Sequence, residues 1–235
     1  MSGASSPELW VERLGTVPYA QALELQRGVA RQRIDGSVPE DVLLLLEHPP
    51  VVTLGRSSKE KHLLASPELL RARGVELFEV ERGGDVTFHG EGQLVGYPII
   101  DLKRHKRDLH WYLRQVEEAL IVALASFGIE AERNVGYTGV WTAGRKIASI
   151  GVHARDWVTW HGFALNVCTD LRFFDLIVPC GIQSVTMTSV SQEIGRPVSV
   201  AEVSSVVGQA FGSTFGLTVR DVSRFALPEF VNSNV

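Results

Sequence analysis

Apolar residues recur along this chain with two different periods, and the changes of period mark its elements. Over residues 19–33 they fall at Ala22, Leu25, Val29 and Ala30, the three-and-four spacing of one helical face. Residues 42–46 form an unbroken apolar run, which suits a strand buried on both sides. His48-Pro49-Pro50 interrupts it, because proline cannot donate to a ladder, and a second strand resumes over residues 51–54. Ser66-Pro67-Glu68 opens a short helix, with serine as cap and proline at the first helical position, and Gly74 closes it. Residues 76–80 and 93–101 read as strands. Leu109, Leu113, Val116, Leu120, Ala123 and Phe127 mark a long amphipathic helix that ends at Gly128. Three short strands follow near residues 138–141, 146–153 and 159–166, with Gly144-Arg145 as the hairpin turn between the first two. Val200, Val203, Val207, Ala210 and Phe211 then share one face of a late helix.

Strands come in runs with few helices between them, so hairpins outnumber crossovers. The pattern predicts an α+β fold with a mixed, mainly antiparallel sheet and flanking helices. No internal repeat or low-complexity linker divides the chain. Residues 1–235 are expected to form a single catalytic domain, with residues 1–7 as a disordered tail and residues 195–235 as a small appended lobe.

Composition narrows the class. At 235 residues the chain is long enough for a real core, and its net charge of −4 speaks against a general nucleic-acid binder. Its two cysteines, Cys168 and Cys180, make neither a disulfide framework nor a C-x-x-C metal pattern, so no metal is expected. No secretory signal opens the sequence and no apolar run is long enough to span a bilayer, which points to the cytoplasm and away from membranes.

The chemistry concentrates in residues 82–97, R-G-G-D-V-T-F-H-G-E-G-Q-L-V-G-Y, where five of sixteen residues are glycine. Such a run buries little apolar surface, and glycine lets backbone approach a ligand closely. It lacks the G-K-[ST] of a phosphate loop and the spacing of a dinucleotide fingerprint. Downstream, Cys180 sits between Pro179 and Gly181, neither of which suits a helix interior, so the thiol belongs on a turn. Most free cysteines are buried and inert, and that reading leads for Cys180 taken alone. A nucleophilic thiol needs a base or cation beside it, and His89, His153, His161 and Lys146 are the candidates. Lys146 heads an apolar-alternating strand; most such lysines are solvated, and only one pointing inward becomes a usable base. General chemistry ranks a histidine first. Cys168 reads as a core residue. The basic run over residues 103–107 reads as a solvated loop more than as a dock for an acidic partner.

Taken in order, R-G-G-D-V-T-F-H-G-E-G-Q-L-V-G-Y-P, G-R-K-I-A-S-I-G-V, H-G-F-A-L-N-V and I-V-P-C-G-I resemble the lipoate-protein ligase B family of octanoyl-[acyl-carrier-protein]:protein N-octanoyltransferases. The likeness spans residues 20–215, with Glu91 standing where that family usually has proline. The resemblance implies the biotin/lipoate ligase fold and transfer of an octanoyl group from acyl carrier protein to a lysine of a lipoyl domain, with no cofactor. The acceptors it implies are lipoyl domains of 2-oxoacid dehydrogenase complexes and the glycine cleavage H protein. It implies that Cys180 carries the acyl group as a thioester and that Lys146 lowers the thiol's pKa and acts as acid and base. For the acyl site it implies Arg82, Gly83, Gly84, Asp85, Val86, Thr87, Phe88 and His89. To these it adds Ser149, Ile150, Gly151, Gly162, Phe163 and Ala164. Backbone N–H groups around the glycines and Cys180 are the expected oxyanion donors. Three other readings compete: an ATP-dependent lipoate or biotin ligase without a nucleophile, a cysteine hydrolase using His89 or His161, and a module that only binds lipoyl domains.

Overall fold

A computed structural model describes residues 6–223 and 225. The elements run in the order β1 (Glu8–Thr16), α1 (Tyr19–Asp35), β2 (Asp41–Glu47), β3 (Val51–Leu54), α2 (Pro67–Ala72), β4 (Glu76–Glu79), β5 (Thr87–His89) and β6 (Gln93–Ile99). Then come α3 (Leu109–Ala125), β7 (Val140–Thr142), β8 (Arg145–Arg155), β9 (Val158–Asn166), α4 (Val190–Ile194), α5 (Val200–Phe215) and β10 (Thr218–Asp221). Seven strands make the main sheet in the order β10-β1-β2-β6-β9-β8-β7, and β4-β3-β5 make a second, smaller one. The β2-β6-β9-β8-β7 stretch is antiparallel throughout, while β10-β1 and β1-β2 are parallel. The fold is the expected mixed, mainly antiparallel α+β arrangement.

The main sheet is covered on both faces, which explains the unbroken apolar run of β2. Leu43 and Leu45 join Leu9, Val11, Tyr112, Val116, Leu120 and Phe211 under α3 and α5. Val42, Leu44 and Leu46 join Trp10, Leu25 and Val29 under α1 on the other face. Full burial of each such side chain contributes about 1.5–3 kcal/mol. Among the described residues no helix is long and apolar enough to cross a membrane.

Two expectations change. The stripe on α5 does not build a separate lobe: Val203, Val207, Ala210 and Phe211 belong to the main core, and β10 pairs with β1. An isolated amphipathic helix has nothing to bury its face against, and the sheet supplies that surface. Residues 224 and 226–235 of that stretch, and residues 1–5 of the tail, lie outside the described residues. The hairpin turn between β7 and β8 is Ala143-Gly144, both at positive φ, and Arg145 already opens the strand. The short helix α2 follows its sequence signal, with Ser66 accepting from Leu69 N–H and Pro67 at the first position.

Candidate functional site

A cavity of about 340 Å³ opens where the small sheet meets β6, β8 and β9. Its chemical centre is built from two elements far apart in sequence. Lys146 is the second residue of β8, where its backbone pairs with Trp141 on one side and bonds to Thr186 and Thr188 on the other. That double ladder fixes the side chain inward, and Lys146 is 0 % exposed. Its Nζ lies 3.2 Å from Cys180 Sγ, 3.4 Å from the Thr138 carbonyl and 4.8 Å from the centre of the Trp141 ring. Among the described residues no carboxylate forms an ion pair with Lys146, and Cys180 Sγ is the side-chain atom that Nζ faces.

Cys180 sits at φ 54°, ψ 21° in a tight turn spanning Pro179–Gly181. A left-handed conformation on a side-chain-bearing residue costs about 1–2 kcal/mol and persists only where its surroundings hold it. Here Cys180 N–H donates to Val86 O at 2.9 Å and Val178 N–H donates to His62 O at 2.7 Å. His62 Nδ1 meets Asp85 Oδ2 at 2.6 Å, and this pair packs on the backbone of Gly181. A Cβ on Gly181 would stand 2.6 Å from Asp85 Oδ2, so only glycine fits. Asp85 borders the cavity, but its second oxygen accepts from Val86 N–H at 2.7 Å, so it braces the nucleophile turn. His62 carried no signal in the sequence; it is a lone histidine before two leucines.

Strand alternation sorts the glycine-rich run. Arg82, Gly83, Gly84, Asp85, Thr87 and His89 line the cavity. Val86 and Phe88, expected there too, point the other way into a small core, where Phe88 stacks on Phe173 at 4.7 Å. The period-two geometry of a strand makes that division unavoidable. Ser149, Ile150 and Gly151 of β8 and Gly162, Phe163 and Ala164 of β9 all line the cavity as expected. Ser149 Oγ is 3.7 Å from Cys180 Sγ. The apolar part of the wall includes Leu109 and Leu113, which the helical pattern assigned to the core, and Val95, Tyr19 and Tyr97.

Three of the expected oxyanion donors are already engaged. Cys180, Gly181 and Gly83 N–H groups donate to Val86, Val178 and Val152 carbonyls. The Thr87 hydroxyl, in contrast, is buried with no hydrogen-bond partner among the described residues.

The histidines face other groups. Gln93 Nε2 donates to the Phe88 and Asn166 oxygens, so Gln93 presents Oε1 to His89, whose Nδ1–H donates to it at 2.9 Å. His89 Nε2 is left as an acceptor facing Thr53 Oγ1 at 3.4 Å, and that hydroxyl itself accepts from Arg82 Nη2. Burial pushes His89 well below its ordinary value, so it stays neutral. His161 is also lowered by burial, and its Nε2 stands 3.5 Å from Glu81 Oε1. His153 meets the Glu81 carbonyl. Among the described residues the side-chain hydrogen bonds of Cys180 go to Lys146 and Ser149, and none to these three histidines. Arg82 is anchored on the Thr53 and Gly83 carbonyls; burial lowers its guanidinium from the ordinary value, and Tyr19, Cys180 and Tyr97 oppose that shift.

Cys168, expected in the core, is exposed, because β9 ends at Asn166 before it. The basic run is largely neutralised within the fold. Lys103, Arg104, His105 and Lys106 pair with Asp101, Glu40, Asp41 and Asp108, which removes the case for an acidic partner there.

Residues 18–212 match the family model described as the lipoyl protein ligase A/B catalytic domain. The octanoyltransferase of Gloeobacter violaceus is 51% identical over 86% of this chain and 88% of its own. That of Rubrobacter xylanophilus is 52% identical over 88% of this chain and 93% of its own. Among solved structures, lipoate-protein ligase A bound with ATP superposes with a TM-score of 0.74 at 18% identity, covering 93% of this chain and 90% of that one. A bipartite lipoate protein ligase from Thermoplasma acidophilum, described with its E2 lipoyl domain, gives 0.75 at 18%, covering 93% and 88%. At such identity these two speak for the fold, which is that of the lipoate-protein ligases.

Proposed function

This chain belongs to the lipoyl protein ligase A/B catalytic-domain family and is an octanoyltransferase of lipoate biosynthesis, and we propose that it works through a thioester on Cys180 with Lys146 as proton partner. The 3.2 Å contact between Lys146 Nζ and Cys180 Sγ carries this reading.

The resting pair is an ammonium facing a thiolate. Sγ attacks the carbonyl carbon of an octanoyl thioester; the carrier's sulfur leaves and takes a proton from Lys146 Nζ. One thioester replaces another, so the step is nearly balanced. The acceptor lysine enters as a neutral amine and attacks the acyl carbon. Its nitrogen passes a proton to the Lys146 amine, the C–S bond breaks, and the ammonium–thiolate pair is restored. Amide formation drives this step, so no ATP is consumed. The free Thr87 hydroxyl and Ser149 Oγ are side-chain donors open to the oxyanion. The acyl chain lies against Phe163, Ile150, Leu109 and Leu113. Burial of its six methylenes contributes about 5 kcal/mol.

The donor on this reading is octanoyl-acyl carrier protein. The acceptors are lipoyl domains of 2-oxoacid dehydrogenase complexes and the glycine cleavage H protein. The Thermoplasma ligase described with an E2 lipoyl domain supports an acceptor of that class. Intact mass spectrometry after incubation with octanoyl-acyl carrier protein tests the mechanism: an octanoyl adduct mapped to Cys180 supports it, and transfer without any adduct there sinks it.

A further inference from the structure

We propose that Glu117 is a positioning residue for Lys146, acting through a single peptide group. Glu117 lies in α3 and is fully buried, two turns into a helix that otherwise packs on the sheet. A buried carboxylate is retained only where hydrogen bonds and charge compensate it. Part of the compensation is ionic: Oε2 takes Arg114 Nη1 at 2.5 Å and Arg133 Nε at 3.2 Å, both from side chains that reach solvent.

The other oxygen does something different. Glu117 Oε1 accepts the Gly139 N–H at 3.1 Å. The carbonyl of that same peptide group, Thr138 C=O, accepts from Lys146 Nζ at 3.4 Å. One trans peptide therefore bridges a buried carboxylate and the ammonium that faces Cys180. A negative charge on its N–H end polarises the peptide and strengthens its carbonyl as an acceptor, since hydrogen bonds in series reinforce one another. The bridge needs glycine: Gly139 sits at φ +138°, and a Cβ there would stand 2.6 Å from Ala148 O and 2.9 Å from Lys146 Cε. Backbone, carboxylate and lysine are thus fitted to one another. In the order carboxylate, peptide, ammonium, thiolate, charge alternates from α3 to the sulfur. Glu117 touches neither substrate nor sulfur; it aims Lys146 at the sulfur through the Thr138 carbonyl.

This inference rests on Lys146 working with Cys180, so Lys146→Met is assayed beside the Glu117 variants. Glu117→Gln keeps an oxygen for Gly139 but removes the charge. We expect its kcat to fall about tenfold, the difference between a charge-assisted and a neutral hydrogen bond, with KM for both substrates within about twofold of the parent. Glu117→Ala should fall further, and Glu117→Gln should recover part of that loss. Arg133→Gln removes an ion-pair partner but leaves the peptide bridge, and should keep transfer within about twofold. Full kcat in Glu117→Gln with an inactive Lys146→Met would remove the role of Glu117 alone. Full transfer in Lys146→Met would remove the mechanism beneath it. Equal losses in Glu117→Gln and Arg133→Gln would mean that Glu117 and its ion-pair partners matter only as a unit, and would also overturn the proposal. If Glu117→Gln does not fold, the Gly139 amide proton in Lys146→Met decides: an upfield move supports a polarised bridge, and an unmoved resonance refutes it.

Discussion

Lys146 Nζ and Cys180 Sγ stand 3.2 Å apart, although 34 residues of chain separate them. Two independent restraints create that distance: the double ladder around Lys146 and the braced left-handed turn at Cys180. Cys180→Ser should therefore abolish transfer with the fold intact, because a serine hydroxyl is hardly ionised near neutral pH. Cys168→Ser should keep most activity, since Cys168 is exposed and is not in the cavity wall. Steady-state transfer and thermal melting of both variants check this, and a reversal of the two effects would discard the assignment of the nucleophile.

Lysine and histidine make opposite predictions as the partner of the thiol. Lys146→Met should slow both iodoacetamide labelling of Cys180 at neutral pH and octanoyl transfer, the latter by about a hundredfold. His89→Ala and His161→Ala should leave labelling near normal, because His89 is committed to Gln93 and Thr53 and His161 faces Glu81. Normal labelling and transfer in Lys146→Met would return a histidine to the role.

Thr87→Val tests the oxyanion donor. The swap keeps the shape and removes a buried hydroxyl that has no partner in the resting site. Loss of a donor used only in the transition state should lower kcat by about a hundredfold while stability holds or rises. Stopped-flow acylation with octanoyl-acyl carrier protein would show it, and an unchanged acylation rate would leave Thr87 as a wall residue.

The periodic elements were legible from sequence because the burial that shapes them is local. The helical stripe of Ala22, Leu25, Val29 and Ala30 and the apolar run of β2 are buried where their spacing predicts. β1 was not legible: Leu9-Trp10-Val11 is only three residues long, and the strand is stable because β2 and β10 flank it. The motifs marked the cavity residue by residue, but could not separate Thr87 and His89 from Val86 and Phe88 without the strand's facing. His62 and Glu117 were invisible for a stronger reason. Each acts through backbone brought near by the fold, His62 on Gly181 and Glu117 on Gly139, and no spacing along the chain encodes such a meeting.

Glu91 occupies the second position of a turn closed by Gln93 N–H to Gly90 O at 3.1 Å, followed by Gly92 at φ +79°. Positive φ at the third position marks a type II turn, whose second position suits proline. Glu91 is exposed. Glu91→Pro should therefore raise stability by about 0.4–1 kcal/mol through the unfolded chain, with transfer unchanged. Urea denaturation measures the gain; a loss of stability would show that the backbone at Glu91 departs from a proline-compatible angle.

His48 makes the fold sensitive to acid. It is fully buried, its Nδ1–H donates to Val17 O at 2.7 Å, and its Nε2 therefore accepts from the Tyr97 hydroxyl at 2.7 Å. The bond from the Tyr97 hydroxyl requires the neutral ring, and burial pushes the imidazole down to about 4 from an ordinary 6.5, with the Val17 bond opposing that shift. Between those values the unfolded chain binds a proton that the folded one refuses, so stability falls as pH drops through this window. From pH 7.5 to pH 5 this group alone should remove about 2 kcal/mol, and His89, lowered in the same sense, adds to the loss. His48→Asn, which cannot titrate, should start from a lower stability at pH 7.5 and decline less steeply toward pH 5. Urea midpoints at the two pH values for both proteins give the comparison. Parallel slopes would mean that His48 is not the group responsible, and the acid sensitivity would pass to His89.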